Sequence, residues 1–167
     1  MSHADAIGSI GARDLEPFAP LLERYVQESG ALCVLIVDRT GRLLTLAGDP
    51  MGMDETSFAS LAAADFAASD QLAQLVGEKE FTALYHNGLH RSMYLADLAG
   101  WAVLAALFDS RTTLGMVRIR TRSVVPRLTD LLTALANRTE GPEEEREGMQ
   151  ADWMSEAEDS IDRLFAE

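Results

Sequence analysis

The sequence predicts an α+β domain with the element order α-β-β-α-β-β-β-α and one five-stranded antiparallel sheet with the helices packed on it. Three observations predict this class. Helical spacing of apolar residues precedes an unbroken apolar run at 31–37, a turn sequence joins that run to a second strand, and a long alanine-rich helix separates this hairpin from the later strands. No catalytic constellation lies on this frame, so we expect a module that acts through contact with another molecule.

The first helix is predicted at residues 16–29. Pro17 and Pro20 suit its first turn, where backbone N–H groups have no helical partner, and Gly30 suits its end. Its apolar positions fall at helical spacing: Phe18, Leu21, Leu22, Tyr25 and Val26. We therefore expect one face of this helix to pack on the sheet.

A hairpin is predicted next. Residues 31–37 form the first strand, and Cys33, the one cysteine of the chain, lies within this apolar run as a small core residue. Residues 38–41 read Asp-Arg-Thr-Gly, which is typical of a turn because Asp bonds to nearby backbone and Gly accepts a positive φ. Residues 42–47 return as the second strand.

After a long helix over 54–77, three further strands and a closing helix are predicted. Residues 78–85 are expected to form a short helical turn, and 89–95 a strand. The apolar run 101–108 suits a strand covered on both faces. Residues 114–121 alternate apolar and arginine side chains, which predicts a strand, and 124–138 carry a helical stripe of Val and Leu.

The long helix offers two faces when residues advance by about 100° each. One side is predicted to face the sheet and collects Phe58, Leu61, Ala62, Leu72 and Val76. Asp65 and Ser69 interrupt it, either as satisfied internal polar groups or as contacts. The opposite side is small and uncharged, comprising Ser60, Ala63, Ala64, Ala67, Gln71 and Gln74. It indicates either a docking surface or only the high helix propensity of alanine.

Charge is concentrated at the C-terminal end. The chain of 167 residues has a net charge of -13. Residues 1–138 hold 16 acids and 12 bases, whereas 139–167 hold 11 acids and two bases. Nucleic acid and anionic membrane are therefore not expected as partners. One buried cysteine, no apolar run of about 18 residues and no secretion signal lead us to expect a soluble cytoplasmic protein.

Four regions follow from these patterns: a flexible leader at 1–12, the folded domain at 13–138, an acidic linker at 139–152 and an amphipathic helix at 153–167. The apolar positions of that last helix are Met154, Ala157, Ile161 and Leu164. A helix this short needs a surface to lie on. The surface is either its own domain or a partner's groove.

The sequence gives little evidence for a metal site, a nucleotide-binding site or a catalytic group. His86 and His90 are four residues apart, but Gly88 breaks the helix that would make them neighbours, so no metal is expected. A GxxxxGK phosphate loop is absent and no cofactor is expected. Four arginines could serve as an arginine finger, although a solvated strand face explains them more simply: Arg111, Arg118, Arg120 and Arg122.

Residues 35–135 resemble the Roadblock/dynein-light-chain family, and within it bacterial regulators of gliding motility. Four segments carry the resemblance: Val-Asp-Arg-Thr-Gly-Arg at 37–42, Thr-Ser-Phe-Ala-Ser-Leu at 56–61, Leu-Val-Gly-Glu-Lys-Glu-Phe at 75–81 and Phe-Asp-Ser-Arg-Thr-Thr-Leu-Gly-Met-Val-Arg at 108–118. The acidic tail at 158–167 is also similar. The first twenty residues carry no such match.

The resemblance implies a Roadblock-like, profilin-like fold and a homodimer with a continuous sheet. It implies dimer contacts at Asp65, Ser69, Met93 and Tyr94. Such dimers bind a small Ras-like GTPase in its GTP form across the paired second helices and stimulate hydrolysis by reshaping the loops of the GTPase. The matching docking positions are Ala63, Ala64, Ala67, Ala68 and Gln71.

The resemblance also gives the tail a role, since in similar proteins it contacts the GTPase and promotes nucleotide exchange, here through Ile161, Leu164 and Phe165. Asp70 and Gln71 depart from the family pattern, where smaller residues stand. The alternative is a scaffold or light-chain-like adaptor that changes no rate. Under either interpretation the protein is not itself an enzyme.

Overall fold

A computed structural model describes residues 10–139, with side chains to Arg138. The predicted linker at 139–152 lies outside the described residues from residue 140 onward, and its first residue, Thr139, ends the last helix. The predicted tail helix at 153–167 and residues 1–9 also lie outside the described residues. Ile10, which the sequence placed in the leader, is buried in the main core. The folded domain therefore begins before residue 13, its predicted start.

The five-stranded antiparallel sheet is confirmed, and its strand order is β2-β1-β5-β4-β3. A 3-10 helix at Ala12–Phe18 precedes the first α-helix. The helices are α1 (Ala19–Ser29), α2 (Glu55–Leu75) and α3 (Leu114–Thr139). The strands are β1 (Cys33–Asp38), β2 (Leu43–Gly48), β3 (Ala83–Asn87), β4 (Ser92–Leu98) and β5 (Ala102–Phe108).

The sheet separates two helical layers. On one face α1 and α3 cover a core that includes Leu104 and Ala106 of β5. On the other face α2 covers Val103 and Ala105 of the same strand. Side chains alternate between the faces of a strand, so the central strand β5 is apolar throughout. This confirms the prediction that 101–108 is covered on both sides.

The predicted C-terminal end of the first helix and the predicted hairpin turn are confirmed, whereas α1 begins at Ala19 and not at residue 16, because residues 12–18 form the 3-10 helix. Gly30 ends α1 with a φ of 72°. Asp38 Oδ1 accepts hydrogen bonds from the backbone N–H groups of Thr40 and Arg42, each at 2.9 Å. Gly41 has a φ of 93° in the same turn. The turn sequence therefore fixes the direction of the hairpin as expected from Asp and Gly chemistry.

Gly41→Ala is expected to lower the free energy of unfolding by about 1–3 kcal/mol, because a left-handed backbone is strained for alanine. An added Cβ would also lie 2.9 Å from Cα of Ser60 in α2. Gly52→Ala is the matched control, since Gly52 shares a positive φ of 72° but has nothing within 4 Å of the added Cβ. Urea unfolding measures both variants, and equal losses would contradict the close approach of the turn to α2.

Two predicted elements are wrong. The helical turn at 78–85 is absent, and this segment leads into strand β3. Five strand residues are too few for an alternating pattern to register. The strand at 114–121 is the beginning of α3, whose buried residues follow a helical spacing: Val117, Thr121, Val124, Leu128, Leu132 and Leu135. Thr121 is the polar member of this buried series, and its Oγ1 lies 2.9 Å from Tyr25 Oη. A polar residue at that position makes the helical pattern difficult to recognise in the sequence.

Candidate protein-docking surface

The helix α2 begins at a well-formed cap. Asp54 Oδ1 accepts a hydrogen bond from the backbone N–H of Ser57 at 3.1 Å, and Oδ2 accepts one from the Ser57 hydroxyl at 2.6 Å. These bonds, the side-chain one first, lower the pKa of the Asp54 carboxyl below its ordinary value. An N-cap of this kind satisfies backbone donors that the first turn leaves free. The predicted start of the long helix is confirmed.

The buried face of α2 consists mainly of small residues. It comprises Ala59, Ala62, Ala63, Phe66, Ser69 and Ala73. The prediction that Leu61, Leu72 and Val76 face the sheet is wrong, because their exposed fractions are 69%, 57% and 70%. The small buried residues let the helix approach the sheet closely, with Phe66 as its one large fully buried side chain. Phe58, predicted on this face, packs against the apolar clusters beneath the helix and is partly buried. The observed α2 is rotated about its own axis relative to the predicted helix. The rotation is smaller than the angle of about 100° between consecutive residues.

Two polar contacts fix this orientation. On one side of α2, Asp65 Oδ2 lies 2.6 Å from His86 Nε2 of β3. On the other side, Arg39 of the β1–β2 turn donates to Asp70 at 3.2 Å. Arg39 also pairs with Asp97 of β4, and its guanidinium lies 4.8 Å from the centre of the Phe66 ring. A guanidinium bound to two carboxylates and an aromatic face prevents the helix from rotating.

The outward face of α2 is neutral and made of short side chains. Ala64, Ala67, Ala68 and Gln71 are exposed, as the docking prediction requires. Ala63 is wrong as an outward position: it is 5% exposed and packs in the cluster beneath the helix. No lysine or arginine occurs between residues 55 and 77. A helix surface facing only water normally carries mixed charges, so this face resembles a contact surface.

One flank of that helix continues toward the edge of the sheet. Three residues share the side of α2 on which Asp65 lies, because they are three, four or seven positions away from it. They are Leu61, Ala68 and Leu72. That side faces β3, because Asp65 contacts His86. The edge strand β3 reads Ala-Leu-Tyr-His-Asn and contains no acid, lysine or arginine. An exposed, uncharged edge strand promotes pairing with another chain.

The residues expected at a dimer contact have different surroundings. Asp65 is half-exposed and bound to His86, while Met93 is half-buried on the α2 side of the sheet. Ser69 and Tyr94 are buried within the subunit. Met93 and Tyr94 lie on β4, one strand inside the edge. Their role in a dimer remains a prediction.

The arginine-finger candidates lie away from α2. Arg111 donates to Asp109 at 3.0 Å, and this bond lowers the pKa of the Asp109 carboxyl. Arg120 donates to Glu28 of α1 at 3.1 Å. Arg118 and Arg122 lie in α3 on the opposite side of the sheet, so the solvated strand face that we predicted is a helix surface. The neutral face of α2 therefore has none of these four arginines.

Cys33 and the histidines form no reactive or metal centre within residues 10–139. Burial is the main cause that raises the pKa of the Cys33 thiol to about 11, which keeps it protonated. His86 is engaged by Asp65. In the described part of the chain, no group of three or more His, Cys, Asp or Glu side chains could hold a metal ion. Nor is any helix of that part long and apolar enough to cross a membrane.

Comparison with known proteins extends the structural result. The family model described as Roadblock/LC7 domain matches residues 18–108. The structure of Myxococcus xanthus MglB is 35% identical, with coverage of 71% of this chain and 97% of that chain and a TM-score of 0.68. The gliding protein MglB of Thermus thermophilus is 28% identical, with coverage of 77% and 94% and a TM-score of 0.66.

A third structure, described as MglB with tetrameric arrangement, is 26% identical, with coverage of 75% and 95% and a TM-score of 0.71. Among curated proteins none matches significantly. The family match spans more than half of the chain, and the MglB structures share its fold almost to their full length. The chain therefore belongs to the Roadblock/LC7 domain family of regulatory modules.

Proposed function

We propose that this protein is a homodimeric regulator of a small Ras-like GTPase of the MglA type and accelerates GTP hydrolysis in the control of cell polarity and motility. The outer faces of the two α2 helices bind the GTP form of the partner. The observation that supports this proposal best is the neutral face formed by the exposed residues Ala64, Ala67, Ala68 and Gln71. The likeness to MglB structures agrees with it.

The chemistry of that face favours action through the loops of the partner. Short side chains allow another backbone to approach closely, and Gln71 supplies an amide that can both donate and accept hydrogen bonds. The four arginine-finger candidates lie elsewhere, so the face donates no cation to the transition state. Ordering the switch loops of a GTPase is sufficient to place its own catalytic groups. The regulator then raises the hydrolysis rate without an active site.

Self-association is part of the proposal. The edge strand β3 is uncharged, and Leu72 on the adjoining flank of α2 is 57% exposed. Pairing two β3 strands would join two sheets and bring the two flanks together. Dimer formation would then bury the exposed apolar side chains of both α2 flanks.

Leu72→Asp is expected to convert the dimer into a monomer, because the substitution places two carboxylates at a contact between identical surfaces. Sedimentation velocity at micromolar concentration measures the expected halving of mass. Ile119→Asp is the matched control, since Ile119 is 63% exposed on α3 and lies away from the flank. A dimer that survives Leu72→Asp would contradict the proposed interface.

The tail contributes the second half of the proposed cycle. Ile161, Leu164 and Phe165 lie outside the described residues and are proposed to contact the GTPase and promote nucleotide exchange. Full-length Ile161→Asp/Leu164→Asp is expected to slow the release of a fluorescent GDP analogue and to leave hydrolysis unchanged. Two unchanged rates would reject the exchange role.

The decisive experiment is a single-turnover GTP hydrolysis assay with the cognate GTPase and the full-length protein. At least a tenfold rise in the hydrolysis rate is expected, equivalent to about 1.4 kcal/mol in the barrier. Binding without a rate change would identify an adaptor and overturn the proposal. A GTPase encoded by a neighbouring gene is the first partner to test.

A further inference from the structure

A groove lies on the side of the sheet opposite α2. Helix α3 leaves part of β3 and β4 uncovered, and the resulting cleft has a volume of about 600 Å³. Its floor is formed by side chains of the two strands, Ala83, Tyr85, Tyr94 and Ala96. Its wall is the first half of α3, with Leu114, Arg118, Arg122 and Val125. The cleft combines an apolar floor with two guanidinium groups.

The charge of this groove is positive and available. Arg118 and Arg122 are exposed, and neither forms an ion pair with another residue in the described part of the chain. Asp97 is the acid that lines the groove, and its carboxylate is already bound by Arg39 and by the backbone N–H of Gly100 at 2.9 Å. A segment with an apolar stripe and acidic neighbours would complement both features.

Residues 153–167 of the same chain have this composition. They contain five acids against one base, Arg163. Their apolar residues at helical spacing are Met154, Ala157, Ile161 and Leu164. Such a short stripe gains little stability unless an apolar surface covers it. The groove supplies that surface together with the opposite charge.

The chain is long enough to reach the groove. From Pro126 at the groove to the end of α3 at Thr139 the helix rises about 20 Å, at 1.5 Å per residue. The thirteen residues 140–152 can extend over about 43 Å, so the tail can turn back alongside α3. Residues 1–9 are a poorer candidate because they hold one acid, Asp5. They also join the domain at Ile10, whose carbonyl accepts from Arg42 beside β2, at the other edge of the sheet from β3.

We propose that residues 153–167 dock in cis into the groove between α3 and strands β3 and β4. Arg118 and Arg122 attract the acids of the tail, and the strand side chains receive its apolar stripe. This inference goes beyond the proposed function and does not depend on a GTPase. Its consequence for that function is that the residues proposed to promote exchange, Ile161, Leu164 and Phe165, are covered until they leave the groove.

Acrylamide quenching of Trp153 fluorescence in the full-length chain tests this docking, with Trp101→Phe as the background for all variants. Trp153 is expected to be protected, and Arg118→Glu/Arg122→Glu is expected to raise its quenching constant at least twofold. Arg13→Glu/Arg127→Glu is the control with the same charge change at exposed sites outside the groove, and it should leave Trp153 protected. Adding Asp159→Arg/Asp162→Arg to the groove variant should restore protection.

Hydrogen exchange supplies a second measurement if a groove variant fails to fold. Full-length Ile161→Asp/Leu164→Asp leaves the described domain unaltered, and it should speed exchange in β3 and in the first half of α3. Full quenching of Trp153 in the parent chain, or equal exchange with and without the tail substitutions, would overturn the proposal. In the Leu72→Asp background, in which no dimer is expected, loss of Trp153 protection would also overturn it, since the tail would then occupy the second copy in the dimer.

Discussion

Ala67→Arg is expected to reduce stimulation of GTP hydrolysis at least tenfold while the dimer remains intact. Ala67 is exposed on the neutral outward face of α2. An arginine there places a long charged side chain where the proposed complex requires close approach of the partner's backbone. A tenfold loss corresponds to about 1.4 kcal/mol, which a buried unpaired charge readily exceeds.

Single-turnover hydrolysis and sedimentation velocity measure the two parts of this expectation. Ala134→Arg is the matched control, because Ala134 is an exposed alanine of α3 on the opposite side of the sheet. Normal stimulation by the Ala67 variant would place the partner on another surface. Reduced stimulation by both variants would indicate a general effect of added charge.

Phe66→Ala is expected to lower the free energy of unfolding by about 3–5 kcal/mol, the usual loss for a large aromatic core residue. Phe66 is the one large side chain of α2 that is fully buried against the sheet; Phe58 packs there only partly buried. Its removal leaves a cavity and also removes the ring beneath the Arg39 guanidinium. The Arg39 guanidinium would then be held by Asp70 and Asp97 alone. We therefore expect α2 to be held less firmly in its position on the sheet.

Denaturant unfolding at several protein concentrations measures this loss, because dimerisation makes apparent stability depend on concentration. Ile119→Ala is the control: it removes an apolar side chain of α3 that is 63% exposed and lies away from the flank proposed as the dimer contact. We expect it to change subunit stability by less than about 0.5 kcal/mol. A similar loss in both variants would argue against Phe66 as the anchor.

Local chemistry made the order of the elements from α1 to α2 predictable. Asp38 and Gly41 determine a tight turn within four residues, and Gly30 ends a helix by its own conformational freedom. The start of α3 was not predictable in the same way. Its arginines alternate with Val117 and Ile119, a pattern shared by a strand and by one face of a helix, and Thr121 conceals the buried stripe.

The rotation of α2 depends on contacts that the sequence does not reveal. Arg39 meets Asp70 across 31 positions and Asp97 across 58. Large apolar residues normally indicate the buried side of a helix, yet here Leu61 and Leu72 are exposed and alanines are buried. The outward placement of Ala64, Ala67, Ala68 and Gln71 was predicted. The burial of Ala63 and the contacts of Arg39 were not, because they depend on residues far apart in the sequence.

The position of α2 and the groove on opposite sides of a single sheet has a consequence for the order of events. A GTPase bound to α2 does not sterically exclude the tail from the groove. Binding of the GTPase and release of the tail can therefore occur independently. A tail segment that leaves the groove stays covalently joined to α3 through thirteen residues, and a short tether gives an effective concentration in the millimolar range. Even a weak encounter between the freed segment and a GTPase already held on α2 would then be well populated.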